Sequence, residues 1–373
     1  MSAPYVTPAD LLGDPSPPPT INTASDAATL GVNFQTISPT RLWEMCKIAT
    51  VMCDSIAGFS LRAVSQYEEN VGPGHRLGLL NDSAARFITS RKPILSVISG
   101  QYSYGGPPFS WVPITPTYMA PETPPMELFG STSWSGAGAG QAAILIGLGG
   151  VPMAGGRNNT RVGIRYIAGW PVANVDPAAT TNVTLIAGNA SGTVASGTGI
   201  ANGAPVEGQG IALNTTVTIS GTAVTLSQPA LTTGTFSMTV GYPAGVTTMN
   251  VDDVTAWGAG VTGSIYDGIY TESVDVTTAS ATTAGLPAPA GPGTVTFAAP
   301  TMVAHLPGCN LSAMSHNIRW AAMLGVKIQV LERGGQAIAA TRVPGQAATS
   351  TRSHIADTHT IMRELLAPFK RTY

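Results

Sequence analysis

Between Asp176 and Asp252 the chain carries one charged residue, Glu207, in a run of Thr, Ser, Gly, Ala, Val and Asn. Such a run reads as short alternating strands separated by glycine turns. It can fold, but it offers almost nothing to an active site. It interrupts flanking sequence that reads as one interlocked domain, Arg161 to Trp170 before it and Met249 to Val276 after it. The pattern therefore predicts a structural module carrying an inserted β-domain.

Charge bounds what the module does. Charged residues are 10% of the 373, against roughly 25% in an average soluble domain. So thinly charged a surface is poorly defended against association, which points to a surface covered by partners. The net charge of -2 supplies no basic field for nucleic acid. Cys46 and Cys53 lie seven residues apart on an expected helix, about 10 Å at 1.5 Å per residue, whereas bridged Cα atoms sit about 4.4–6.8 Å apart. With Cys309 alone, free thiols and a reducing compartment at folding are expected. The proline-rich start (Pro15, Pro17, Pro18, Pro19) lacks the pattern of a secretory leader. The apolar run near Leu145 is too short to span a membrane.

The expected organisation is α+β: a helical bundle plus a β-rich ring body, with an inserted all-β domain of sandwich or barrel type. An extended N-terminal arm covers residues 1–37. The host domain is 38–176 plus 244–333, and the insert is 177–243. Residues 334–373 form a Gly/Pro/Ala-rich linker and a C-terminal tail. Ser38-Pro39 gives a cap and a proline at the first helical position, followed by Leu42, Met45, Ala49, Met52, Ile56 and Phe59 at helical spacing, with Gly58 as the stop. Ser220-Gly221-Thr222 reads as a tight hairpin, as does Asp267-Gly268. Ser312 is expected to cap a second helix with Met314, Ile318, Ala321, Gly325 and Ile328 on its face, and an amphipathic piece from Ser350 to Leu366 follows the linker.

A search for chemistry gives no catalytic, cofactor or metal residues. The glycine run Gly138–Ala143 precedes a strand, where a dinucleotide fingerprint must follow one. The five histidines are scattered; His354, Asp357 and His359 form their one cluster, on the polar side of a terminal helix. Asp252, Asp253 and Asp267 miss the spacing of a calcium loop and suit turns instead.

Certain segments, taken in order, resemble a family. They are Tyr5–Leu12, a capped helix with Cys53 in its second half, Gly169-Trp170-Pro171, Val251–Trp257 and Ile265-Tyr266-Asp267-Gly268. His305 before a helix, Ala321-Ala322, Arg333-Gly334 and Leu365–Arg371 complete the set. Together they resemble the head-to-tail adaptor (connector) proteins of long-tailed bacteriophages, over most of the chain outside the insert. The chain departs from that pattern in the insert itself and in Phe369-Lys370, where Tyr-Arg is common.

The resemblance implies a non-enzymatic virion protein of the neck, assembled in the host cytoplasm without a cofactor. Its copies form a ring with one another, usually a dodecamer. The ring docks under the portal protein, extends the channel for genomic DNA without reading its sequence, and receives a tail-proximal connector or tail terminator. It also implies that the helices and the C-terminal tail contact the portal, with Leu366, Phe369, Lys370, Arg371 and Tyr373 as docking residues. Trp170, Trp257, Asp267 and Gly268 are expected to be structural. Rival readings are a tail terminator or minor tail protein, and a secreted β-rich adhesive protein.

Overall fold

The computed structural model describes residues 4–12, 34, 37–69, 77–81, 84–91, 93–104, 110–114, 119–121, 143–147, 160–212, 214–267, 270–282, 291–332 and 351–370. The chain is mixed α and β, and mostly strands. The described helices are α1 (Pro8–Leu12), α2 (Pro39–Ala57), α3 (His316–Glu332) and α4 (Thr351–Leu366), the last running into a 3-10 turn over Ala367–Phe369.

Helix α2 starts and stops where its sequence says. Ser38 is extended, Pro39 opens the first turn, and Gly58 closes the helix at φ +84° with its N–H on the Asp54 carbonyl. The Ser38 side chain makes no cap hydrogen bond; the start rests on the fixed φ of Pro39. Leu42, Met45, Cys46, Ala49 and Cys53 form the buried face.

Helix α3 begins later than expected. Ser312 belongs to a strand, and Ser315 is the residue whose carbonyl accepts from Ile318 and Arg319. The strand wins because Asn310–Ser312 pairs on both sides, with Ser264–Tyr266 and with Val172–Asn174. Both α2 and α4 pack on α3, so α3 is buried on nearly every face, as a helix apolar all round must be. In place of the helical bundle expected, a single chain shows these three helices joined in one core.

At the α2–α3 crossing the backbones come close. A Cβ on Gly325 would stand 3.0 Å from Ala49 Cβ. Gly325→Ala is therefore expected to change stability by under about 1 kcal/mol, its helix propensity offsetting the tight contact. Gly325→Leu should destabilise by about 1–3 kcal/mol as the helices are forced apart. Urea midpoints check both, and an unchanged midpoint for the leucine variant would show that the crossing is looser than drawn.

Among the described residues the first eight strands are β1 (Val64–Glu69), β2 (Leu77–Asn81), β3 (Ala84–Ile88), β4 (Ile94–Tyr104), β5 (Val112–Ile114), β6 (Met119–Pro121), β7 (Ala143–Gly147) and β8 (Thr160–Ala168). They form two four-stranded sheets, β1-β8-β4-β5 and β2-β3-β7-β6. Phe87, Ile144 and Ile146 of one share a core with Tyr102, Ile164 and Tyr166 of the other. Pro113 and Pro121 fall on edge strands, where a missing N–H breaks no ladder. Of the glycine run Gly138–Ala143, all but Ala143 lies outside the described residues, as do Gly268, the linker 333–350 and residues 371–373.

After β9 (Val172–Asn174) come β10 (Ala179–Leu185), β11 (Ser191–Val194), β12 (Ala204–Gly208), β13 (Thr215–Ser220), β14 (Ala223–Leu226) and β15 (Gly234–Val240). The last six form a closed barrel, β10-β11-β14-β13-β12-β15, sealed by β10 and β15 from Ala179↔Val240 to Leu185↔Gly234. Val183, Leu185, Val206, Val217, Met238 and Val240 fill it. Of the sandwich and the barrel allowed by the sequence, the barrel is found, and closure leaves these strands no unpaired edge. The β13–β14 hairpin turns through Gly221 at φ +64° and Thr222, as its sequence indicates.

Five more strands are β16 (Thr248–Val251), β17 (Val261–Tyr266), β18 (Thr271–Ala281), β19 (Gly293–Phe297) and β20 (Asn310–Ser312). With β9 they make a six-stranded sheet, β16-β19-β18-β17-β20-β9. It curls into a half-barrel whose edges meet at a Val175↔Val251 bridge. Asp252 secures that seam, accepting from the Asn174 amide (2.7 Å) and from Asn174 Nδ2 (3.0 Å). Inside lies Trp257, packed so closely on Gly263 that a Cβ there would stand 2.8 Å from its ring. The closed barrel leaves this body through Pro177 and returns through Gly241-Tyr242.

Candidate functional site

The chain's two ends meet on the helical core, and this convergence is the best-defined site in the molecule. The N-terminal arm is not simply extended: residues 8–12 are helical, and Tyr5, Val6, Asp10 and Leu11 are buried. A side-chain cap holds the turn: the Thr7 amide (2.7 Å) and hydroxyl (3.1 Å) both donate to Asp10 Oδ2, and the Asp10 amide donates to the Thr7 carbonyl (3.1 Å).

From this turn, contacts run to remote elements. The Tyr5 amide donates to Thr50 Oγ1 (3.0 Å) and its phenol to Asp54 Oδ1 (2.5 Å), while the phenol oxygen accepts from the Arg62 amide (3.1 Å). Burial and the Asp54 carboxylate beside it push the Tyr5 phenol well above its ordinary range; burial raises Asp54 as well.

Arg319 of α3 is the hub. Its Nη1 donates to the Tyr5 carbonyl and to Asn310 Oδ1, each at 3.0 Å. Nη2 stands 3.0 Å from Asp10 Oδ2, an ion pair by distance whose N–H is aimed off the carboxylate. The guanidinium lies over the Tyr266 ring at 3.5 Å, a cation–π stack that suits arginine's planar, weakly hydrated head. With both charges almost fully buried, each depends on the other for compensation.

The C-terminal end reaches the same core. Leu366 and Phe369 are buried, and Phe369 meets Trp170 edge-on at 5.3 Å between centroids. Gly169 brings Trp170 there at φ +112°, so close to the Arg62 carbonyl that a Cβ would stand 2.3 Å from it. Of the docking set drawn from the resemblance, two residues are buried within this chain. Leu366 and Phe369 are committed to their own chain's core because α4 has an apolar face and α3 is the surface that covers it. Lys370 is exposed, and Arg371 and Tyr373 lie outside the described residues.

A second buried cluster joins the barrel to the half-barrel. The wholly buried His305 has Nδ1 3.0 Å from Asp267 Oδ2 and Nε2 3.0 Å from Glu272 Oε2. Its backbone pairs with Tyr242, two residues after β15 ends. Asp267 also accepts from the Tyr270 amide (2.5 Å), and Glu272 from Met302 (2.6 Å). Both imidazole nitrogens face carboxylates, so neither is left to take a proton from a nucleophile. The cluster ties three segments together. No local sequence pattern marks it, because His305 and Asp267 stand 38 residues apart.

The expected structural residues are placed as follows. Trp170 lies in the helical core, Trp257 in the half-barrel, and Asp267 at the β17–β18 turn, where its N–H also reaches the Tyr270 carbonyl. Asp253 accepts from the Thr255 and Gly291 amides and so holds a loop, as Asp252 holds the seam. Asp357 is exposed and His359 half-buried on α4. Cys46, Cys53 and Cys309 are free and buried, and burial pushes all three thiols far up. Native protein at pH 8 is expected to release no thiol to Ellman's reagent, and all three after denaturation. A rapid native equivalent would contradict the packing of α2 or of the half-barrel core around Cys309.

The outward face of α2 is different. Ile48 is 43% and Val51 65% exposed, one turn apart, while the opposite face builds the core. No described helix is long and apolar enough to cross a membrane. No family model matches the chain, and neither a curated protein nor a solved structure similar to it was found.

Proposed function

We propose that this chain is a structural virion protein, a head-to-tail adaptor whose copies form a ring beneath the portal, lengthen the DNA channel and present the surface on which the tail lands. One observation carries the reading. Several segments that bear the resemblance lie far apart in sequence, yet Tyr5 to Leu11, α2 with Cys53, Trp170, Ala321-Ala322 and the Leu366–Phe369 end pack into a single core, while Val254, Trp257 and Ile265 fill the half-barrel. Segments that share one core are those whose order and spacing a fold must keep.

In this reading the exposed Ile48–Val51 face of α2 takes the role first given to the tail. It meets the portal, or joins neighbouring copies' helices into a head-proximal bundle. Burying it supplies association energy that a chain with 10% charged residues does not oppose. The strands build the ring body, and the closed barrel, with Glu207 as its one charge, projects outward.

Loss of the gene tests this. Tailed phage grown without the protein should accumulate separate heads and tails that join when the protein is restored. Joined, infectious particles in its absence would overturn the reading.

A further inference from the structure

Resting on that assembly reading, we propose that the Pro4–Leu12 segment is an exchangeable arm. In the assembled state it docks on Thr50, Asp54 and Arg319 of a neighbouring copy, so each helical core is completed by the next copy's N-terminus. The segment behaves as a ligand would. Apart from its own Thr7–Asp10 cap, its hydrogen bonds go to residues between 45 and 314 positions away. The cap preforms the turn, which lowers the ordering cost of docking. Charge is complementary across the contact, Asp10 on the segment and Arg319 in the groove, both buried.

Reach permits the exchange. Residues 13–33 join the segment to Phe34, a stretch that spans up to about 70 Å when fully extended. A chain of this length has a radius of gyration of about 21 Å, so a neighbour's groove lies within that span. Every copy presents the same groove, so exchange keeps every contact and turns an internal one into a link between subunits. Its cost is confined to the connecting stretch, and loop entropy grows slowly with length. In a ring each arm passes to the next copy, and no core is left open.

Isotope mixing tests this on the full chain. Pro8, half-buried at the start of α1, is replaced by a photo-crosslinker, Pro8→benzoylphenylalanine. Light and 15N-labelled chains, grown in separate cultures, are unfolded, mixed in equal amounts and refolded together, and the oligomer is isolated alone or on portal-bearing heads. Mass spectrometry of the irradiated oligomer should show heavy–light links between the arm and α2 or α3 as abundant as same-isotope ones. Same-isotope links alone, in a proven oligomer, would overturn the exchange and leave the ring reading standing. A chain that never forms an oligomer would remove both.

A charge-swapped pair guards against a crosslinker that disturbs folding. Asp10→Arg and Arg319→Asp each set like charges together when alone. Mixed, an exchanged arm restores the native pair in one groove and an inverted pair in the other. Recovery of oligomer on mixing supports exchange, and its absence contradicts it.

Discussion

Arg319→Ala is expected to destabilise the helical core by about 3–5 kcal/mol, because it leaves the Asp10 carboxylate buried without its cation and strips acceptors Tyr5 O and Asn310 Oδ1 of a charged donor. The loss should reach the N-terminus directly. Limited proteolysis would cleave the Tyr5–Leu12 stretch in the variant at protease concentrations that leave the wild-type chain uncut. The double substitution Asp10→Asn with Arg319→Met should recover much of the stability, since replacing both charges by groups of similar volume removes the uncompensated ion. Urea midpoints of the two variants and the wild-type chain decide it. A single-variant loss under about 1 kcal/mol would mean that the pair is solvated and the arm is not anchored by it.

Phe369→Ala is expected to cost about 3–5 kcal/mol, the range for deleting a buried aromatic ring, because its ring fills the space beside Trp170. Lys370→Ala, at an exposed position beside it, should stay within about 0.5 kcal/mol. These effects belong to the isolated protein's thermal unfolding. If Phe369→Ala left the melting temperature unchanged and abolished attachment to heads, the ring would be docking on a partner and the resemblance's original assignment would stand.

What the sequence disclosed depended on how local the cause was. Helix α2 was legible at both ends because Ser38-Pro39 and Gly58 act through φ alone, and the β13–β14 turn because Gly221 supplies the positive φ it needs. The charge-poor run read as short strands, though β11 and β12 carried no clear signal, and barrel and sandwich share that pattern; only the β10–β15 pairing separates them. Ser312 misled because a cap preference is worth about 1 kcal/mol, less than the double pairing of β20.

The partners of the two ends were hidden from the sequence for one reason. Tyr5, Asp10 and Phe369 find their partners at Asp54, Arg319 and Trp170, and no periodicity encodes contacts across such separations. The His305 cluster was missed on the same ground. An arm and a tail that look exposed in sequence are here the closing pieces of a core that α2 and α3 leave unfinished.

A cryo-electron microscopy map of the neck of tailed particles would show where this chain sits. A closed ring of this chain is expected immediately below the portal, with α2 turned toward the portal side and the six-stranded barrel on the outer rim. Density for this chain in the tail tube or tail tip, or a neck built wholly of other proteins, would contradict it.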